Sequence, residues 1–111
     1  MAGEERRRSQ RVIIRVPVTL VLEQNGQSVK IPSYTVAVNI HGAMVLCNRA
    51  IDENTELEVQ NSRTGEKIGA RTTRAPRESP EGYLIPVEFV AQSTNFWQIS
   101  FPPTNWKALD N

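Results

Sequence analysis

The chain predicts an all-β domain, an antiparallel sandwich or barrel, on three observations. Apolar residues recur at every second position in one run after another, turn residues punctuate the runs at short intervals, and helical periodicity is missing until the last stretch. With 111 residues the chain is long enough for one modest core and not for two, so a single domain is expected.

The elements follow in order. In VIIRVPVTLVLE, Ile14, Val16, Val18, Leu20 and Leu22 share one face, while Ile13, Arg15, Pro17, Thr19, Val21 and Glu23 share the other. That alternation marks a half-buried strand, and Pro17, which has no backbone donor, points to an edge or unpaired position within it. Asn25-Gly26 is a hairpin signal because both residues tolerate positive φ. A second strand returns from about Ser28, with an interruption expected at Pro32-Ser33. Thr35 to Cys47, TVAVNIHGAMVLC, reads as one or two strands with a break at Gly42. Leu57 and Val59, then Ile68, Ala70 and Thr72, flank a turn over Asn61 to Gly65, and Tyr83, Ile85, Val87 and Phe89 alternate in the last run. RAPRESPE, Arg74 to Glu81, reads as a polar loop. STNFWQISF is expected to form a short helix capped by Ser93 or Thr94 and stopped at Pro102-Pro103.

Charge and composition narrow the function classes. Thirteen Lys and Arg against twelve Asp and Glu leave a net charge of +1, so no global field favours a polyanion. The basicity is local: residues 1–11 hold four Arg against two Glu and are expected to form a flexible basic arm ahead of a domain spanning 12–111. A single cysteine, Cys47, forms no internal disulfide and fits a reducing cytoplasm. No run approaches the roughly twenty apolar residues of a membrane span, and no apolar signal core opens the chain, so membrane insertion is not expected.

Catalytic constellations are scarce. His41 is the only histidine, which leaves no His-rich metal site and no second histidine for general-base work. Cys47 sits in a strand-like run, where it reads as a small core side chain rather than a nucleophile. No phosphate-cradling glycine loop and no metal-ligand spacing occur. The expectation is a binding protein, not an enzyme, with no cofactor and no metal.

The arginines are the remaining signal. Arg6, Arg7, Arg8 and Arg11 stand in the six residues RRRSQR, and Arg7 and Arg11 form an RxxxR pair against the first strand. A guanidinium fork donates bidentately to a phosphate or to the O6/N7 edge of guanine. By itself an arginine-rich segment is more commonly a solvated arm.

RRRSQRVIIRVPV, then TVAVNIHGAMV, GYLIPVEFV and NFWQISFPPTNW, together resemble the PilZ family of bacterial domains over about Glu5 to Trp106. Members share an RxxxR segment, a first strand with an apolar-Pro-apolar step, a (D/N)xSxxG strand turn and a six-stranded antiparallel β-barrel. Phe96-Trp97, Phe101 to Pro103 and Trp106 resemble the C-terminal end of a subset of them. The resemblance implies a PilZ-like barrel with a short C-terminal helix, and a cytoplasmic receptor for cyclic di-GMP. Arg7 and Arg11 would contact its phosphates and guanine Hoogsteen edges.

In the second motif Gly42 takes the glycine position, Asn39 the serine and Ala37 the Asp/Asn, giving AxNxxG. Moving Asn39 to the Asp/Asn position would put Met44 where the glycine belongs, so the glycine decides the register. Strict alternation then puts residues 35, 37, 39 and 41 opposite Val36, Val38 and Ile40, on the face the family uses for ligand. Ala37 has no acceptor for guanine N1–H and N2–H, and losing one such base contact costs about 1 to 3 kcal/mol. The Asn39 amide compensates in part where a serine hydroxyl would stand.

Three functional classes follow. In the first, cyclic di-GMP draws Arg7 and Arg11, with Arg6 and Arg8 nearby, onto the face bearing Ala37, Asn39, His41 and Gly42, ordering the arm and changing a surface for a downstream protein. In the second, a degenerate PilZ-like module no longer binds nucleotide and acts through protein contacts. In the third, the arm binds nucleic acid or an acidic membrane through salt-sensitive phosphate contacts, but no interleaved aromatic and basic surface for bases accompanies it. Phe96, Trp97 and Phe101 are expected to pack on the barrel, His41 to lie on a turn, and Glu88 to receive an arginine when no ligand is bound. Trp106 fits either a partner anchor or a lid.

Overall fold

Alternation sets the inside of the molecule. In β1 (Pro17–Gln24) Val18, Leu20 and Leu22 are buried, joined by Val16 just ahead of the strand. Asn25 and Gly26, at φ 53° and 78°, turn the chain in a two-residue hairpin whose positive dihedrals match the twist of the flanking strands. The computed structural model describes residues 11–91 and 95–98, and the described residues contain no helix. After β1 come β2 (Gln27–Asn39), β3 (Gly42–Cys47), β4 (Glu56–Asn61), β5 (Lys67–Thr72), β6 (Arg77–Ser79) and β7 (Gly82–Phe89).

All pairings between these strands are antiparallel. They run in the order β3, β2, β1, β4, β5, β7, and β7 pairs back onto β3, so six of the seven strands close a barrel. β6 is the seventh: it pairs with Gly82 to Leu84 of β7, while β5 pairs with Val87 to Phe89 on the remainder of that strand. The segment expected as a featureless loop at Arg74 to Glu81 therefore contains a short strand that extends the pairing where β5 stops. Leu20, Val45, Val59 and Ile85 lie fully buried at the centre of the core.

Pro17 and Pro32 fit the ladder because residues of an antiparallel strand alternate between bonded and non-bonded rungs. Pro17 is the first residue of β1, which pairs on both sides, and its carbonyl accepts from Ser62 N–H at 3.0 Å. Its missing donor is thus one half of a terminal rung. The interruption expected at Pro32-Ser33 does not occur, and β2 runs through it. Thr35 N–H donates to the Val16 carbonyl at 3.0 Å, which makes the odd-numbered residues of β2 the bonded ones. The Pro32 nitrogen accordingly faces away from β1, and β3 pairs with β2 only from Tyr34 onward.

The irregularity of β2 lies instead at Val36, where the register shifts between Thr35 and Ala37. This bulge overturns the strict alternation expected there: Thr35 is buried and Val36 exposed. From Val38 onward the expected phase holds, with Val38 in the core and Asn39 outward, whereas Ala37, expected to face away from the core, is itself buried without joining the core cluster. The Thr35 hydroxyl compensates for the disturbed ladder. It donates to the Ile14 carbonyl at 2.6 Å and accepts from Val16 N–H at 2.8 Å. Thr35→Val, which keeps the shape and leaves both backbone groups unpaired, is expected to cost about 2 kcal/mol. The shift of the urea unfolding midpoint measures this cost, and an unchanged midpoint would contradict it.

The aromatic segment closes one end of the barrel. Phe96 and Trp97 are buried against Phe89, with ring centroids 5.4 and 5.8 Å from it, and 4.9 Å from each other. Asn61, itself buried, donates from Nδ2 to the Phe96 carbonyl at 2.9 Å. The described part of the expected helix is a turn, in which Gln98 N–H donates to the Asn95 carbonyl at 3.1 Å and Gln98 takes φ 60°. That left-handed residue stops helical propagation, and two adjacent aromatics anchored in one core favour a turn over a helix that would splay them. Ser93, Thr94, Phe101, Pro102, Pro103 and Trp106 lie outside the described residues.

Cys47 is buried in the core, and its thiol donates to the Arg49 carbonyl at 2.9 Å. Burial raises its pKa, which keeps it protonated and poorly nucleophilic. The core assignment made from its strand position agrees with this environment.

Candidate functional site

The N-terminal segment positions Arg11. Val12 and Val38 form an isolated antiparallel bridge with both bonds made: Val12 N–H to the Val38 carbonyl at 2.8 Å, and Val38 N–H to the Val12 carbonyl at 2.9 Å. Continuing that register by one residue sets Arg11 opposite Asn39. Asn39 in turn pairs with Gly42 of β3, Gly42 with Glu88 of β7, and Glu88 with Arg71 of β5. Directly opposed residues share a face, so Arg11, Asn39, Gly42, Glu88 and Arg71 form one transverse row on the barrel exterior. Arg11, Glu88 and Arg71 are exposed, whereas their neighbours Val38, Val87, Phe89, Ala70 and Thr72 are buried, as this phase requires.

A second row runs beside the first. Ala37 pairs with Met44, Met44 pairs with Pro86, and Ile13 falls opposite Ala37 by the register of the Val12–Val38 bridge. The two rows form a concavity of about 500 Å³, with Arg11, Asn39, His41 and Glu88 supplying polar groups, and Ile13, Ala37 and Met44 an apolar shelf. This is within the usual size of a small-molecule site, roughly 300 to 1,000 Å³.

The hairpin between β2 and β3 is made by two residues, Ile40 and His41. Asn39 Oδ1 accepts from His41 N–H at 2.7 Å and from Gly42 N–H at 3.0 Å, holding the turn in an Asx arrangement. Its carbonyl oxygen accepts from Trp97 Nε1–H at 3.0 Å, so the aromatic end of the barrel buttresses the row. Gly42 serves the approach of β3 to β7: a Cβ there would collide with the Val87 carbonyl oxygen and lie 3.0 Å from Glu88 Cα. His41 is half-buried on the turn, and its carbonyl accepts from Phe89 N–H at 2.7 Å.

Of the residues singled out in the sequence, the fold brings Arg11, Ala37, Asn39, His41 and Gly42 to one concavity. Arg6, Arg7 and Arg8 lie outside the described residues. Glu88 lines the same concavity but forms no ion pair among the described residues; the pair present joins Arg71 to Glu56 at 2.9 Å. Ile13, Met44 and Thr73 also line the concavity and were not anticipated. Outward parity alone marks Ile13 and Met44, but only the β3–β7 pairing brings Glu88 beside Asn39. No group of three or more potential metal ligands occurs among the described residues, and no helix there is long and apolar enough to cross a membrane. No family model matches the chain, and no curated protein matches it.

Proposed function

We propose that this chain is a PilZ-like receptor for cyclic di-GMP that signals by ordering its N-terminal arm. The observation that carries the reading is the Val12–Val38 bridge, which seats Arg11 on the concavity that Asn39 and Gly42 border. Arg7 stands one RxxxR interval upstream in the sequence and would supply a second guanidinium to a ligand held by Arg11. The ligand offers two phosphates for such forks, and its guanines offer O6/N7 edges and flat faces suited to the apolar shelf. Fixing residues ahead of Arg11 costs conformational entropy, so affinity depends on both arginines. The ordered arm alters the exterior presented to a downstream protein.

A competing reading, a degenerate PilZ-like module that acts through protein contacts alone, draws on one specific observation. Asn39 Oδ1 already accepts two backbone N–H groups, and Ala37 offers no acceptor at all. The two readings separate in a calorimetric titration with cyclic di-GMP at moderate salt, alongside a GTP control and the Arg7→Ala, Arg11→Ala double variant. The receptor reading expects saturable binding that weakens at least a hundredfold in the double variant, as two charged contacts of about 1.5 to 3 kcal/mol each require. A folded wild-type protein that shows neither heat nor a rise in melting temperature would overturn it in favour of the module.

A further inference from the structure

We propose that Glu88 supplies the guanine acceptor that Ala37 lacks, so that the base specificity of the site has moved from β2 to β7. This rests on the receptor reading above. The row of the barrel wall runs Arg11, Asn39, Gly42, Glu88, and Gly42, between Asn39 and Glu88, carries no side chain. Asn39 and Glu88 therefore stand on either side of Gly42, whose missing side chain lets β7 approach β3 closely and brings Glu88 toward Asn39. Any Cβ at Gly42 is excluded by the Val87 carbonyl, so the close packing of β3 on β7 fixes Glu88 at this end of the row.

Three observations favour a carboxylate at this place as a ligand group. First, guanine presents two adjacent donors, N1–H and N2–H, and a carboxylate accepts both in parallel. Second, the other candidate acceptor in the row, Asn39 Oδ1, is occupied by the backbone donors of His41 and Gly42 at 2.7 and 3.0 Å. Third, Glu88 has no ion-pair partner among the described residues, because the arginine opposite it, Arg71, is bonded to Glu56 at 2.9 Å. An acidic group beside an anionic ligand is otherwise unfavourable. Here the cation, Arg11, stands three strands away from Glu88 along the row, so phosphate and base edge have separate groups of opposite sign to meet in one concavity.

The ligand pair that tests this is cyclic di-GMP and cyclic di-IMP, which differ only in the exocyclic N2 amine. Titration of the full chain is expected to favour cyclic di-GMP by about tenfold or more. Glu88→Ala is expected to weaken cyclic di-GMP binding by a similar factor and to erase the preference, while Glu88→Gln, which keeps one acceptor oxygen, falls between. Glu88 is exposed, so neither substitution should move the melting temperature appreciably. A Glu88→Ala variant that retains the preference, or that binds both nucleotides more tightly, would show that Glu88 does not read the N2 amine. That result overturns this inference and leaves the receptor reading standing. Failure of the wild-type chain to bind either nucleotide removes the receptor reading, and this inference with it.

Discussion

Trp97→Ala is expected to destabilise the protein by about 4 kcal/mol, the cost typical of truncating a buried large aromatic. Against the roughly 5 to 15 kcal/mol that holds most domains together, this would leave a substantial unfolded fraction at moderate temperature. The cause is specific. Trp97 stacks on Phe89 at 5.8 Å, meets Phe96 edge to face at 4.9 Å, and donates from Nε1 to the Asn39 carbonyl at 3.0 Å. Trp97→Phe retains an aromatic ring but leaves that carbonyl unpaired, and is expected to cost about half as much. Urea unfolding followed by far-ultraviolet circular dichroism distinguishes the two. Equal midpoints for wild type and Trp97→Ala would mean that the aromatic segment does not close the barrel.

Gly42→Ala should be nearly as damaging, about 3 kcal/mol, although it adds one methyl group. A new Cβ would run into the backbone of Val87 and Glu88, and backbone in a closed barrel cannot swing aside as a flexible side chain does. β3 must retreat from β7, and the pairing that closes the ring is the one that suffers. Hydrogen exchange should report this locally, with protection lost first across Gly42 to Cys47 and Tyr83 to Glu88. A variant with wild-type stability and wild-type exchange would refute the close approach. The glycine of the RxxxR and AxNxxG pattern thus has a packing reason that needs no ligand, although it also lines the concavity.

Much of the barrel is legible in the alternation of apolar residues, and the places where sequence reasoning fails have physical causes. Pro32 looks like a break because proline lacks a donor, but whether that donor is needed depends on which rung faces the neighbouring strand. The bulge at Val36 has no signature in TVAVN, since it is a one-residue offset in the pairing of β2 with β3, set by the partner strand rather than by the local sequence. The turn at Asn95 to Gln98 has the composition of a capped helix, and tertiary burial of Phe96 and Trp97 overrides that propensity. In the site, the RxxxR segment and the glycine stand out from spacing alone, and the alternation of β2 puts Ala37 and Asn39 on one face. Glu88 as their neighbour does not, because it lies 46 residues beyond Gly42 and meets it only through barrel closure, as the pairing Gly42↔Glu88 records.

The central claim, that one concavity on the barrel wall takes a guanine dinucleotide, is tested most directly by nuclear magnetic resonance with 15N-labelled protein titrated with cyclic di-GMP. The account predicts saturable amide shifts confined to three stretches distant in sequence: Arg6 to Ile13, Ala37 to Met44, and Val87 to Glu88. Shifts centred elsewhere on the barrel, or a spectrum that does not change at saturating nucleotide, would contradict it.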